Sequence, residues 1–87
     1  MGAEPGGANS LIIYHTPGCG RCQAAEAFFR ARGWEVRMRD VANDFGALRR
    51  MARRAKGART VPVLEVGEEV FVGFDPDYWR RRLDSRP

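Results

Sequence analysis

The chain has 87 residues, 44% of them hydrophobic, with 15 basic against 11 acidic side chains and a formal net charge of +4. That length suits one domain with a modest core and is too short for two. Two cysteines make no disulfide framework of the secreted kind, and no apolar run approaches the length of a membrane-spanning helix, so a cytoplasmic protein without a membrane partner is expected.

Residues 1–10 lack the basic start and apolar stretch of a secretory signal and read as a flexible tail, leaving 11–87 as the domain. Leu11-Ile12-Ile13-Tyr14 is a short run of strand formers ended by Thr16-Pro17-Gly18. Cys22 to Arg32 reads as a helix whose apolar stripe is Ala24, Ala25, Phe28, Phe29 and Ala31, with Gly33 placed to end it. Trp34, Val36 and Met38 then alternate with Glu35, Arg37 and Arg39, the period of a strand with one buried face. Strand, helix and strand in so short a span predict a βαβ unit with parallel strands. Asn43 or Asp44 can cap a second helix reaching about Lys56, with Gly57 closing it. Val61–Val66 and Glu69–Val72 flank Gly67-Glu68, a pair suited to a type II′ hairpin turn. Asp75 and Pro76 open a last helix with Tyr78, Trp79 and Leu83 on its apolar side. The predicted order is βαβαββα, an α/β fold with a small mixed sheet covered by helices.

All basic residues but Lys56 are arginines, and the densest cluster is Arg49-Arg50, Arg53-Arg54 and Lys56. These fall at helical spacing opposite Leu48, Met51, Ala52 and Ala55 and read as a solvated face; a patch for an acidic partner is the sharper alternative. No nucleic-acid motif accompanies them, so no nucleic-acid partner is expected.

Cys19 and Cys22 stand two residues apart where a helix begins. A sulfur there lies over unsatisfied backbone N–H groups and the positive end of the helix dipole, which favours thiolate over thiol. Zinc binding with His15 as a third ligand is the competing use of such a pair, but a structural zinc site wants four protein ligands, so that reading needs a second chain. His15 otherwise reads as a packed or surface residue.

Three motifs in this order resemble the thioredoxin fold in its glutaredoxin-like branch: Tyr14-His15-Thr16-Pro17-Gly18-Cys19-Gly20-Arg21-Cys22, Thr60-Val61-Pro62, and Val72-Gly73-Phe74-Asp75-Pro76-Asp77. The resemblance covers residues 11–84. It implies a thiol–disulfide oxidoreductase, acting as a monomer with no bound cofactor, in which Cys19 attacks, Cys22 resolves, and a redox-active Cys19–Cys22 disulfide forms. Pro62 would be the cis-proline facing that pair, leaving the Val61 backbone free for an extended substrate segment; an ordinary trans-proline at a strand start is the plain alternative. Gly73 would allow close approach of substrate and Asp75 would sit where the first glutaredoxin Asp does. Phe74 lines the groove or simply packs in the core. Arg21 lowers the thiolate's pKa and meets substrate, or is an exposed helix-start residue.

Glutathione-dependent glutaredoxins carry Pro-Tyr between the cysteines, a Lys where Thr16 stands, and Gly-Gly-x-Asp-Asp where this chain has Val72-Gly73-Phe74-Asp75-Pro76. The Gly-Phe-x-Pro-Asp pattern is similar instead to the NrdH-redoxins, hydrogen donors of ribonucleotide reductase that thioredoxin reductase recycles. The implied partners are therefore a disulfide-containing protein, ribonucleotide reductase among the candidates, and thioredoxin reductase. Glutathione as co-substrate and a metal- or cluster-binding dimer are the alternatives.

Overall fold

A computed structural model describes residues 9–84. Seven elements follow in the order expected: β1 (Ser10–His15), α1 (Gly20–Ala31), β2 (Glu35–Asp40), α2 (Phe45–Arg54), β3 (Val63–Val66), β4 (Glu69–Val72) and α3 (Pro76–Asp84). Residues 1–8 of the expected tail, and 85–87, lie outside the described residues. Ser10, assigned to the tail from sequence, is instead the first residue of β1, and the Asn9 carbonyl accepts the Glu35 N–H at 2.9 Å.

The four strands are ordered β2-β1-β3-β4. β1 runs parallel to β2, in register from Ser10↔Glu35 to His15↔Asp40, and antiparallel to β3, while β3 and β4 form the hairpin. Gly67 supplies the positive φ of 59° that opens the hairpin turn, and Glu68 has none, which distinguishes type II′ from type I′. Strand alternation then sorts the core onto two faces. Leu11, Ile13 and Leu64 pack with Ala25 and Phe29 of α1 and Trp79 of α3; Tyr14 and Val63, one residue out of phase, pack with Ala47 and Met51 of α2.

Helix ends follow from local chemistry. The Gly33 N–H donates to the Arg30 carbonyl and the Trp34 N–H to that of Phe29, a Schellman motif whose usual apolar contact is the Phe29–Trp34 ring pair at 4.9 Å. Asp44, rather than Asn43, caps α2: its carboxylate accepts the Ala47 N–H, while Asn43 bonds back to Asp40. At the other end two residues are left-handed, the expected Gly57 with φ 84° and Lys56 before it with φ 56°. The α1 stripe is narrower than its sequence suggests. Cys22, Ala25 and Phe29 are buried, Phe28 is half-buried, and Ala24 and Ala31 face solvent.

Candidate active site

Three loops meet at one end of the sheet because of the register. Tyr14 pairs with Val63 and Val63 with Val72, so the segments that follow β1, precede β3 and follow β4 leave the sheet side by side. Those segments carry Cys19, the Val61-Pro62 pair and Gly73-Phe74 respectively. Two hydrogen bonds tie them together: the Gly73 N–H donates to the Pro62 carbonyl at 2.7 Å, and the Arg21 guanidinium to the Phe74 carbonyl at 3.4 Å.

Cys19 is the N-cap residue of α1, in extended backbone conformation, and its Sγ accepts the Cys22 N–H at 3.1 Å. The first turn of α1 carries no acidic side chain to oppose negative charge on that sulfur. The two cysteines form a disulfide with Cα atoms 5.3 Å apart. They differ in access: Cys19 is half-buried, whereas Cys22, inside the first turn, is only 1% exposed.

The Val61–Pro62 peptide is cis. Pro62 is buried, and the Val61 side chain packs against the α2-side core. Val61 takes part in none of the turn and loop backbone hydrogen bonds among the described residues. Gly73, at φ 96°, holds a conformation that L side chains rarely adopt, which explains the glycine there. Phe74 is 7% exposed and its ring lies 5.4 Å from that of Phe28, so the core-packing alternative describes its side chain; its backbone remains part of the site through Arg21. The Asp75 carboxylate caps α3 by accepting the Asp77 and Tyr78 N–H groups. A cleft of ≈ 530 Å³ runs beside these residues, lined by Arg21, Gly73, Phe74 and Asp75 together with Phe71 and Tyr78.

His15 is half-buried and its carbonyl accepts the Val41 N–H. Among the described residues no three His, Cys, Asp or Glu side chains come together in a way that could hold a metal ion.

A further constellation, on the α2 side of the sheet, joins residues far apart in sequence. Glu65, 5% exposed on β3, accepts the Tyr14 hydroxyl at 2.7 Å and an Arg50 N–H at 2.7 Å, with Arg54 at 3.4 Å. Burial pushes the Glu65 carboxyl up, but the hydrogen bonds from Arg50 and Tyr14 and the two guanidinium charges outweigh it and hold the group below its ordinary range. Burial and the Glu65 contact push the Tyr14 phenol up. Arg50 and Arg54, read from sequence as part of a solvated face, therefore turn inward. The signal was a lone Glu between Leu64 and Val66, sharing a strand face with Val63, opposite two arginines at i, i+4 spacing.

A cis-proline loop beside a Cys-x-x-Cys pair at a helix start, on a four-stranded mixed sheet, defines a disulfide oxidoreductase of the thioredoxin-like fold. The glutaredoxin family model matches residues 11–71, and the chain belongs to that family. The glutaredoxin-like protein NrdH of Salmonella typhimurium is 33% identical over 72 residues, covering 83% of this chain and 86% of that protein. The solved NrdH-redoxin of Escherichia coli, a glutaredoxin-like protein with a thioredoxin-like activity profile, superposes with a TM-score of 0.69 at 32% identity, covering 90% of this chain and 99% of that one. The fold is shared as well with the thioredoxin-like protein BC3987, whose T8A mutant gives a TM-score of 0.75 at 21% identity and covers 87% and 96% of the two chains.

Proposed function

We propose that the protein is a dithiol electron donor to disulfide-containing proteins and that thioredoxin reductase returns its electrons. The observation that carries the reading is the asymmetry of the pair. Cys19 is half-buried with its Sγ where α1 presents its N–H groups, while Cys22 is 1% exposed in the first turn. In the reduced protein the Cys19 thiolate attacks one substrate sulfur, forming a mixed disulfide and releasing the other as thiolate. The Cys22 thiol then gives up its proton and attacks Cys19 Sγ, so that the Cys19–Cys22 disulfide forms and the second substrate thiol leaves with the pair's two electrons. Val61 and Pro62 present backbone to the substrate segment, Gly73 and Phe74 border it, and Arg21 and Asp75 supply charge beside it. Trapping checks the roles: Cys22→Ser should accumulate mixed disulfides and Cys19→Ser none, and faster alkylation of Cys22 than of Cys19 would overturn the assignment.

Two positions favour thioredoxin reductase over glutathione as reductant. Thr16 offers no cation to a glutathione carboxylate, and Pro76 offers no carboxylate to its amino group. A charge-assisted hydrogen bond is worth about 1.5–3 kcal/mol, roughly ten- to a hundredfold in affinity. The relatives' NrdH identity and the thioredoxin-like activity profile of the Escherichia coli protein support the same choice, and ribonucleotide reductase then becomes the first substrate to try. A coupled assay decides: NADPH oxidation through thioredoxin reductase should outrun that through glutathione and its reductase, and the opposite order would replace this reading by that of a glutathione-dependent glutaredoxin.

A further inference from the structure

The groove beside the Cys pair holds a cation that the fold does not neutralise. Further along α1 and on α3, Arg30 pairs with Glu26, Arg32 with Asp84, Arg80 with Asp77 and Arg82 with Glu69, at 2.6–3.0 Å. Arg21 is different. It is exposed, it has no acidic partner among the described residues, and its guanidinium donates only to the Phe74 carbonyl, at 3.4 Å. That bond holds the charge against the groove, two residues along the chain from Cys19, and leaves the remaining donors to solvent. Asp75 lines the same groove but forms no ion pair with Arg21; its carboxylate is occupied by the Asp77 and Tyr78 N–H groups at the start of α3.

The rest of the groove suits an extended peptide. β4 is an edge strand, and the bond from the Gly73 N–H to the Pro62 carbonyl fixes the phase of its hydrogen bonding. Alternation from Gly73 turns the N–H and C=O of Val72 away from β3, where no strand among the described residues receives them, and the Val72 side chain is 57% exposed. Open strand edges bind extended segments by adding a strand, while side-chain contacts supply the selectivity. Phe71, Tyr78 and Trp79 line the ≈ 530 Å³ groove with aromatic surface, and Arg21 adds a positive charge near Cys19.

We infer that Arg21 makes the protein selective for disulfides flanked by acidic residues: a Glu or Asp two residues from the exchanging cysteine pairs with the Arg21 guanidinium while its segment lies along β4. In an extended chain, side chains two apart share a face, so that residue is presented on the same side as the reacting sulfur. A site that reads a neighbour of the cysteine reads the chain to which the cysteine belongs. The occupant is therefore the disulfide-bearing segment of the substrate protein rather than a separately docked partner. The inference rests on the reading above that Cys19 attacks the substrate disulfide.

The test is single-turnover oxidation of the dithiol protein, with no reductase present, by peptides joined as symmetric disulfides and carrying Glu, Gln or Lys two residues from the cysteine. The Cys19 thiolate displaces one peptide thiolate, and Cys22 then gives up its proton and displaces the second, so each turnover leaves two peptide thiols and the Cys19–Cys22 disulfide. Dividing each rate by that of dithiothreitol with the same peptide removes differences in intrinsic reactivity. The Glu peptide should then react about fivefold faster than the Gln peptide, with the Lys peptide slowest, and the advantage should shrink at about 0.3 M salt. Arg21→Gln should level Glu and Gln, Arg21→Glu should favour Lys, and Arg21→Lys should keep the preference for Glu. Arg53→Gln, which removes the same charge from α2, should leave the ratio unchanged. An Arg21 that acted only on the Cys19 thiolate would make Arg21→Gln slow all three peptides by one factor with the Glu preference intact. That result overturns the inference, as do equal rates for Glu and Gln in the unmodified protein. A reduced protein that reacts with none of the peptides overturns the electron-donor reading and this selectivity together.

Discussion

The two faces of the sheet are stabilised by different chemistry. On the α1/α3 side, Phe28, Phe29, Trp34, Phe71 and Trp79 meet edge to face, with Phe29 central: its ring lies 5.1 Å from that of Phe28, 4.9 Å from Trp34 and 5.1 Å from Trp79. Each such pair adds about 0.5–1.5 kcal/mol beyond the area it buries, and none depends on ionisation. The α2 side has smaller side chains and a carboxylate at its centre, held by Tyr14, Arg50 and Arg54. Packing there is conditional on charge. The aromatic contacts of one face are therefore indifferent to pH and salt, while the Glu65 network of the other is not.

The largest effect expected is on the aromatic side. Phe29→Ala should cost about 3–5 kcal/mol in denaturant unfolding, and the loss should be the same at neutral and mildly acid pH. Glu65→Ala comes next, at about 2–3 kcal/mol, because it strands a buried phenol and two guanidiniums that solvent reaches only in part. A loss on Glu65→Ala larger than that on Phe29→Ala would reverse the ranking of the two faces.

The pH dependence sharpens the contrast. Glu65 titrates below its unfolded value, so its contribution is present above the ordinary glutamate range and is lost as pH falls through the depressed folded value. Tyr14 titrates above its usual 10.0, so its contribution is present below that value and is lost as pH rises through the folded one. Stability of the unmodified protein should fall at both extremes, and Glu65→Ala should flatten the acid limb. An acid limb that keeps its slope in Glu65→Ala would place the titrating group elsewhere. The smallest effect is at Lys56, whose left-handed backbone favours glycine: Lys56→Gly should gain up to about 1 kcal/mol, read as a raised unfolding midpoint.

The same contrast explains what the sequence reveals. Order βαβαββα, the Asp75 cap, the Gly67 turn and the Gly33 helix stop are written locally, in residues a few positions apart, and the structure reproduces them. The Cys19-x-x-Cys22 pair and Pro62 are equally legible, because few other roles suit those residue types at that spacing. The Glu65 network is not, since Tyr14 and Glu65 are separated by 51 residues and meet only through strand register. Each arginine of α2 looks alike in sequence; the helix rotation set by Ala47 and Met51 sends Arg50 and Arg54 inward and leaves Arg49 and Arg53 outside. Phe45, at 70% exposed, is an aromatic residue the fold does not bury.

The cap of α1 is a sulfur rather than a Ser, Thr or Asp oxygen, so the atom that trades electrons also terminates the helix. A thiolate is a stronger acceptor for the Cys22 N–H than a sulfur already bonded to another sulfur. On the roles proposed for the pair, that bond would hold the first turn most firmly in the reduced protein and would weaken when Cys19 is tethered to a substrate. Cys22 rides on that turn. With Cys22 as the resolving thiol, as proposed, its restraint would ease at the stage when it reaches for Cys19, and the first chemical step would release the helix end for the second.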